Sequence, residues 1–411
     1  MKTSLYVAIV ATTFMLKACA TTDRGQRTFG EKITDMSSTE AMFEAESLKE
    51  TELLQRSAAR IRDIKLETYV GDIANESAGE YGDEVDVYLL EVPEFNAYMY
   101  PNGTMGVYSG LMLRVESEDE LALVLGHEFG HYYEKHSLEL HAKGKNANHA
   151  MNAVSILTAP TGLGGLAVET LASAAFIGEF SAFSRKQETE ADVIGLERVS
   201  KIGYDEGSAI KLWENIENEK KASSIRKVRN RKSRFYDSHP TSPARLEALK
   251  AAANIKGDIP RASLQQRSEY RSHIRPYLMN WLEDEIGLRD AGATFNLLGR
   301  LDDLGEDQGV LLYARARVLD RALSNKKLKE DKATQALVAG KSQDDVVALL
   351  RLAINHSDVP ANAHRELGDS LYKLGQTDEA KAEFERYLVL KPSAEDKSLI
   401  ESLIAKMEAS L

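Results

Sequence analysis

His127-Glu128-Phe129-Gly130-His131 has the H-E-x-x-H spacing. On a helix, side chains at i and i+4 stand one above the other on one face. Two imidazoles placed so can reach one Zn²⁺, and Glu128 beside them can take a proton from a water on that ion. Two chance histidines on a surface helix would give the same letters. The local sequence speaks against chance. Ser117 with Glu120 forms a capping box that starts a helix near Glu118, and Leu121, Val124, Leu125 and Phe129 continue it. Gly126 and Gly130 each cost that helix about 1 kcal/mol relative to Ala. Two such costs around the same histidines imply an element packed closely against them. Five of the nine histidines fall between His127 and His149.

A catalytic zinc takes three protein ligands and keeps a fourth position for water. His136 is the nearest candidate, but five residues beyond His131 it stands about 140° around a continuous helix; it reads as structural. The long metzincin pattern needs Gly and His where this chain has Glu134 and Ser137, which excludes that class. A second helix offers more. Ser184 with Gln187 is another capping box, and Gly203 is a C-terminal stop. On that helix Glu188 and Asp192 share a face. Glu188 can be the third ligand, and Asp192 can accept the other ring N–H of a ligating histidine. Glu190 lies about 200° from Glu188 and reads as a solvated or structurally paired acid. His239 has three readings: a fourth ligand that holds the site closed, a hydrogen-bond donor to the tetrahedral intermediate, or a cap of the helix that Pro243 begins. His141 and His149 sit in a Lys- and Asn-rich stretch and read as solvated.

These motifs occur in a telling order: Asn96-Ala97, Gly103, Gly110-Leu111, the HEFGH helix with His136, Glu188-Thr189-Glu190-Ala191-Asp192, then His239-Pro240 and Arg245. Over roughly residues 45–250 the chain resembles the gluzincin family of HtpX-type and CaaX-prenyl-protease-type metallopeptidases. The resemblance implies one Zn²⁺ per chain on His127, His131 and Glu188, with Glu128 as general base and Asp192 behind the ligands. His239 stands as a second catalytic candidate. Integral-membrane relatives carry several spanning helices. This chain resembles the periplasmic branch.

The elements that must position these residues are α+β and mostly helical. From about Ser37 to Ile73, Met42, Leu48, Leu53, Leu54, Ile61 and Ile64 recur at helical spacing. Val85 to Val92 reads as a strand, and the Pro101-Asn102-Gly103 turn between 96–99 and 104–108 makes a hairpin. Residues 151–183 are apolar but broken by Pro160, three glycines, Glu169 and Glu179, which fits a buried helical hairpin, or else a flap leaning over the active site, better than a span. Beyond Ile255 the pattern is helical. Counted from Ala361, Leu367, Gly368, Ala380, Phe384, Tyr387 and Pro392 match a tetratricopeptide unit. A weaker unit precedes it, with helices at 309–323 and 344–355, and 265–300 supplies another degenerate pair.

The expected organisation is a lipoprotein-type signal at 1–18, a tether at 19–44, a zinc metallopeptidase domain with a small sheet at 45–255, and an α-helical tetratricopeptide-like domain at 256–411. The apolar run Leu5–Leu16 is too short for a membrane span, which needs about 20 residues. Leu16-Lys17-Ala18-Cys19 resembles a lipobox, which makes the lone cysteine, Cys19, the lipidation candidate; Lys17 departs from the usual pattern. One cysteine excludes an intramolecular disulfide and a cysteine zinc finger. A formal charge of −12 speaks against nucleic acid.

The expected function is a zinc endopeptidase of the bacterial envelope, periplasmic and anchored to the outer membrane through its lipid. Its substrates would be unfolded or misassembled proteins, bound extended along a sheet edge near Gly103 to Ser109. The tail would contact outer-membrane assembly components. The rival is a lipid-anchored chaperone or assembly factor that acts through its tail, with proteolysis latent or secondary.

Overall fold

The computed structural model describes residues 26–30, 38–145, 183–225, 239, 243–325 and 332–409. Residues 1–18, Cys19, residues 151–182, Pro240 and the side chains of His141 and His149 lie outside the described residues. Among those described, the helices are α1 (Ser38–Arg56), α2 (Ile64–Ala78), α3 (Ser109–Arg114), α4 (Glu118–Tyr133), α5 (His136–Lys145), α6 (Arg185–Lys201), α7 (Glu206–Ala222) and α8 (Pro243–Ala252). They continue with α9 (Leu264–Ile274), α10 (Leu278–Gly287), α11 (Ala291–Asp302), α12 (Gln308–Ser324), α13 (Lys332–Val338), α14 (Gln343–Ala353), α15 (Asn362–Lys373), α16 (Thr377–Leu390) and α17 (Lys397–Glu408). The strands are β1 (Asp86–Leu90), β2 (Ala97–Met99) and β3 (Thr104–Tyr108). The chain is α+β and mostly helical, as its pattern implies.

The hairpin forms where Pro101-Asn102-Gly103 places it. β2 runs antiparallel to β3, and β1 lies parallel to β3 on its other side, giving the order β1-β3-β2. Gly103 has φ +87°, and a Cβ there would fall 1.9 Å from the Glu84 carbonyl oxygen, so the turn requires glycine. The order corrects one expectation. Residues 104–108 are the central strand, flanked on both sides, and offer no edge to a substrate. The outer side of β1 is also taken, because Ile61 N–H donates to Leu89 O and Glu91 N–H to Ala59 O. The edge left is that of β2.

The N-terminal helix differs from its pattern. The single expected stretch is two helices, α1 and α2, separated by a turn in which Arg60 bridges to Leu90. Leu54 and Ile61 are buried, but Met42, Leu48, Leu53 and Ile64 are exposed. The buried face of α1 is Phe43, Ser47, Thr51 and Leu54. Ser47 and Thr51 are tolerated there because their hydroxyls donate to carbonyls one turn back, and Thr51 Oγ1 also lies 2.8 Å from Thr104 Oγ1 on β3. Hydropathy alone assigns such a face to solvent. The segment before α1, expected as tether, is docked at 26–30. Arg27 is buried, its N–H donates to Tyr133 O, its guanidinium donates to Pro101 O, and it lies 4.2 Å over the Tyr132 ring.

α4 is buried from Asp119 through Tyr132, the position of a central core helix. Ser117 caps it through Glu120 N–H, although Glu120 reaches back to Glu116 N–H. The expected neighbour of its glycines is α6. A Cβ on Gly126 would meet Gly195 Cα at 3.2 Å, and one on Gly130 would meet Ala191 Cα at 2.9 Å. Small residues on both helices thus let the backbones touch, which brings the two candidate ligand helices together. Both capping residues of α6, Ser184 and Gln187, act as the sequence implies.

One hydrophobic core runs from Ile61 through α4 and α7 and on into α9–α12, ending at Ala322; the family of buried residues from Tyr313 to Met407 forms a second. α12 contributes to both. At the end of the chain α15 and α16 pair, with Leu367, Ala380, Phe384 and Tyr387 buried and the Phe384 ring against Gly368. The stretch 265–300 holds three helices, α9 to α11, rather than a pair.

Candidate metal centre

α4 supplies His127, Glu128 and His131, and α6 supplies Glu188 and Asp192. His239 enters from the chain before α8. His127, His131, Glu188 and His239 are all buried, and one potential ligand atom from each lies within 4.8 Å of the others. His131 Nε2 is 3.1 Å from His127 Nε2, which is 3.2 Å from His239 Nδ1. His239 Nδ1 is 3.1 Å and His131 Nε2 3.6 Å from Glu188 Oε1. Three imidazole nitrogens and a carboxylate oxygen facing one point form a donor set suited to zinc.

Glu128 stands beside the cluster, with Oε1 3.7 Å from His239 Nε2. That oxygen is buried without a hydrogen-bond partner among the described residues. Burial raises the Glu128 pKa, against the pull of His239 and His127. A buried acceptor left open next to a ligand cluster is what a group that handles a water's proton needs.

Asp192 Oδ1 is 3.0 Å from His127 Nδ1, on the side of the ring away from the cluster. Arg245, on α8, donates to both Asp192 oxygens at 2.7 and 2.6 Å, and its Nη1 is 2.5 Å from Glu188 Oε2. Burial opposes charge on Asp192, yet hydrogen bonds from His127 and Arg245 hold its pKa below the usual range. Burial likewise opposes charge on Glu188, and His239, His127 and Arg245 outweigh it. Arg245 also lies 5.5 Å over the Trp213 ring.

His136 is not where a continuous helix would put it. α4 ends at Tyr133, and Lys135 at φ +53° turns the chain back, so that His136 Nδ1 comes 3.0 Å from His131 Nδ1. Glu190 is a paired acid, 3.0 Å from Lys186 and 3.4 Å from His136 Nε2. Phe183 stacks on His131 with ring centroids 3.9 Å apart. Sequence reasoning assigned no role to Phe183 and gave none to Arg245 beyond its place in a motif. A cavity beside His131 is lined by Met99 and Pro101 from the β2 end and by Arg27, Tyr132 and Lys135.

Residues 60–253 match the model of peptidase family M48. The mitochondrial metalloendopeptidase OMA1 of Schizosaccharomyces pombe is 30% identical over 165 residues, covering 40% of this chain and 45% of that protein. The metalloprotease LoiP of Escherichia coli is 28% identical over 43% of this chain and 66% of that protein. The β-barrel assembly-enhancing protease of Yersinia pestis is 25% identical over 52% of this chain and 44% of that protein. The chain therefore spans under half the length of the first and last of these.

Proposed function

We propose, from the match of residues 60–253 to peptidase family M48 and the buried group of His127, His131, Glu188 and His239 that could hold a metal ion, that the chain is a zinc-dependent endopeptidase of the bacterial cell envelope that degrades misfolded or misassembled envelope proteins. The convergence of His127, His131 and Glu188 beside the open carboxylate of Glu128 carries the reading. A zinc ion held there supplies Lewis acidity, which acidifies a water and polarises the scissile carbonyl. Glu128 takes that water's proton and passes it to the leaving amine. Asp192 fixes the His127 ring, and Arg245 ties Asp192 and Glu188 into one unit.

The substrate would lie extended along β2. Tyr100 N–H donates to Thr104 O and Tyr108 N–H to Asn96 O, so the even-numbered residues of β2 face β3. The backbone groups of Ala97 and Met99 then point away from β3; both residues are buried, so this edge has to be uncovered before it can pair with a substrate, and Met99 lines the cavity that reaches His131. Main-chain pairing along such an edge reads no particular sequence, which suits unfolded chains. The envelope assignment is supported by the name of the Yersinia relative and by the lipobox-like residues ending in Cys19. No described helix is long and apolar enough to cross a membrane. Contact between the tail and outer-membrane assembly components remains part of the proposal. The chaperone alternative is not favoured by these relatives, each of which carries a protease name.

Removing zinc with a chelator is expected to abolish cleavage of an unfolded protein such as casein, and one equivalent of Zn²⁺ to restore it. Chelator-resistant cleavage would exclude the reading. The position of His239 Nδ1 among the ligand atoms favours one refinement, a latent state with His239 as fourth ligand. Four protein ligands leave no place for water, so His239 must withdraw before hydrolysis. His239→Ala is then expected to raise basal casein cleavage; an unchanged or lower rate would count against latency and favour a direct catalytic part for His239.

A further inference from the structure

A histidine that ligates through Nε2 carries its proton on Nδ1, and that proton needs an acceptor to fix the ring. For His127 the group facing Nδ1 is the Asp192 carboxylate, 3.0 Å away. For His131 the group facing Nδ1 is another imidazole nitrogen, His136 Nδ1, at 3.0 Å. Two ring nitrogens at that distance share one proton. His131 must hold it if its Nε2 is to stay open toward the cluster, so His136 Nδ1 accepts. A neutral His136 then carries its own proton on Nε2, and the group 3.4 Å from that nitrogen is the carboxylate of Glu190. The pairings therefore admit one arrangement, with each proton pointing outward from the cluster.

We propose that His136 and Glu190 are positioning residues of the metal centre, forming a chain in which His131 Nδ1–H donates to His136 and His136 Nε2–H donates to Glu190. The proposal rests on the zinc reading above. It gives the two ligand histidines equivalent supports: His127 is held by a carboxylate directly, and His131 is held by one through an intervening imidazole. The backbone places this chain by a device of its own. α4 stops at Tyr133, and the left-handed conformation of Lys135 folds His136 back beside His131. His136 is buried, and Phe183 covers the adjacent face of His131, which keeps water from replacing the imidazole as acceptor. Glu190 lies one turn from Lys186, whose ammonium is 3.0 Å from its other oxygen. The Glu188-Thr189-Glu190-Ala191-Asp192 run thus serves three ends from one turn and a half of α6. Glu188 faces the metal, Asp192 faces His127, and Glu190, on the far side of the helix, reaches His131 through His136.

The test is zinc affinity of the full chain, read by competition with a chromophoric chelator, with thermal unfolding of the metal-free proteins alongside. His136→Leu is expected to weaken zinc binding about 10- to 100-fold. His136→Asn, whose side-chain oxygen can take the place of Nδ1 as acceptor, is expected to recover most of that loss. Glu190→Ala is expected to weaken binding less than His136→Leu, and to have no further effect when added to it. Wild-type affinity in His136→Leu overturns the proposal. So does equal loss in the Leu and Asn variants with metal-free proteins equally destabilised, which would mark His136 as packing only. A wild-type protein that takes up no zinc overturns the metal reading itself, an outcome distinct from one zinc per chain with His136→Leu unaffected.

Discussion

Replacing Glu128 by Gln is expected to lower the rate of casein cleavage by about 10²- to 10⁴-fold, the range for loss of a positioned general base, while zinc content stays at the wild-type level. The geometry separates the two effects. Glu128 is absent from the group of mutually close ligand atoms, although it directly follows His127 in the chain. Its Oε1 has no hydrogen-bond partner among the described residues, so an amide of the same shape disrupts no such contact at that oxygen. What the amide lacks is a basic oxygen. Glu188→Gln should behave differently, because Glu188 is one of the converging groups and is paired with Arg245. If Glu128→Gln retains more than about a tenth of the activity, the general-base role is wrong. Loss of zinc in that variant would instead move Glu128 into the ligand set.

How much of this site the sequence carries depends on the range over which each relation acts. The H-E-x-x-H pair, the Glu188–Asp192 pair and the capping boxes are all set within one or two helical turns, and periodicity reads them. Gly126 and Gly130 went further, because a glycine inside a buried helix has few causes other than close approach, and Ala191 and Gly195 are what approaches. His239 could be narrowed only to alternatives, since its neighbours His127 and Glu188 are 112 and 51 residues away. His136 was misplaced by the assumption that a helix, once begun, runs on; the reversal at Lys135 puts a positive φ on a residue whose type does not announce it. The buried face of α1 went unread because Ser47 and Thr51 satisfy their hydroxyls within the helix and on β3. The edge expected at 104–108 failed for a topological reason. A hairpin motif identifies two neighbouring strands but not the parallel β1 that comes to lie on the far side of one of them.

Arg114→Leu is expected to destabilise the folded chain by about 3–5 kcal/mol, the cost of removing one partner from a buried ion pair. Arg114 is buried on α3 and donates to Glu219 on α7 at 2.7 Å and to Glu285 on α10 at 2.8 Å. Glu285 is also buried, and Thr294 adds a hydrogen bond to it at 3.3 Å. Arg300 on α11 reaches Glu219 at 3.0 Å and the Arg114 carbonyl at 3.1 Å, so Glu219 keeps a cation in the variant. Glu285 does not keep one within this set, and most of the penalty falls on it. Burial already raises the Glu285 pKa against the pull of Arg114. Without the guanidinium it rises further, and the folded state then binds a proton that the unfolded state has released at neutral pH. An acid whose folded pKa lies above its unfolded value loses stability as pH rises, so the deficit of Arg114→Leu should shrink as pH is lowered from 7 toward 5. Adding Glu285→Gln should recover part of it at pH 7. The measurement is urea unfolding, with the midpoint lowered and the slope kept if the fold itself is intact. A loss under 1 kcal/mol, or a deficit indifferent to pH, would mean that this network is solvated. The family match ends at residue 253, yet two of these four charges lie beyond it, on helices whose apolar faces share the core of α4. The helix that carries the candidate zinc histidines is thus held from behind by a segment outside the matched domain, through apolar packing and through buried ion pairs that cross from that domain to the segment.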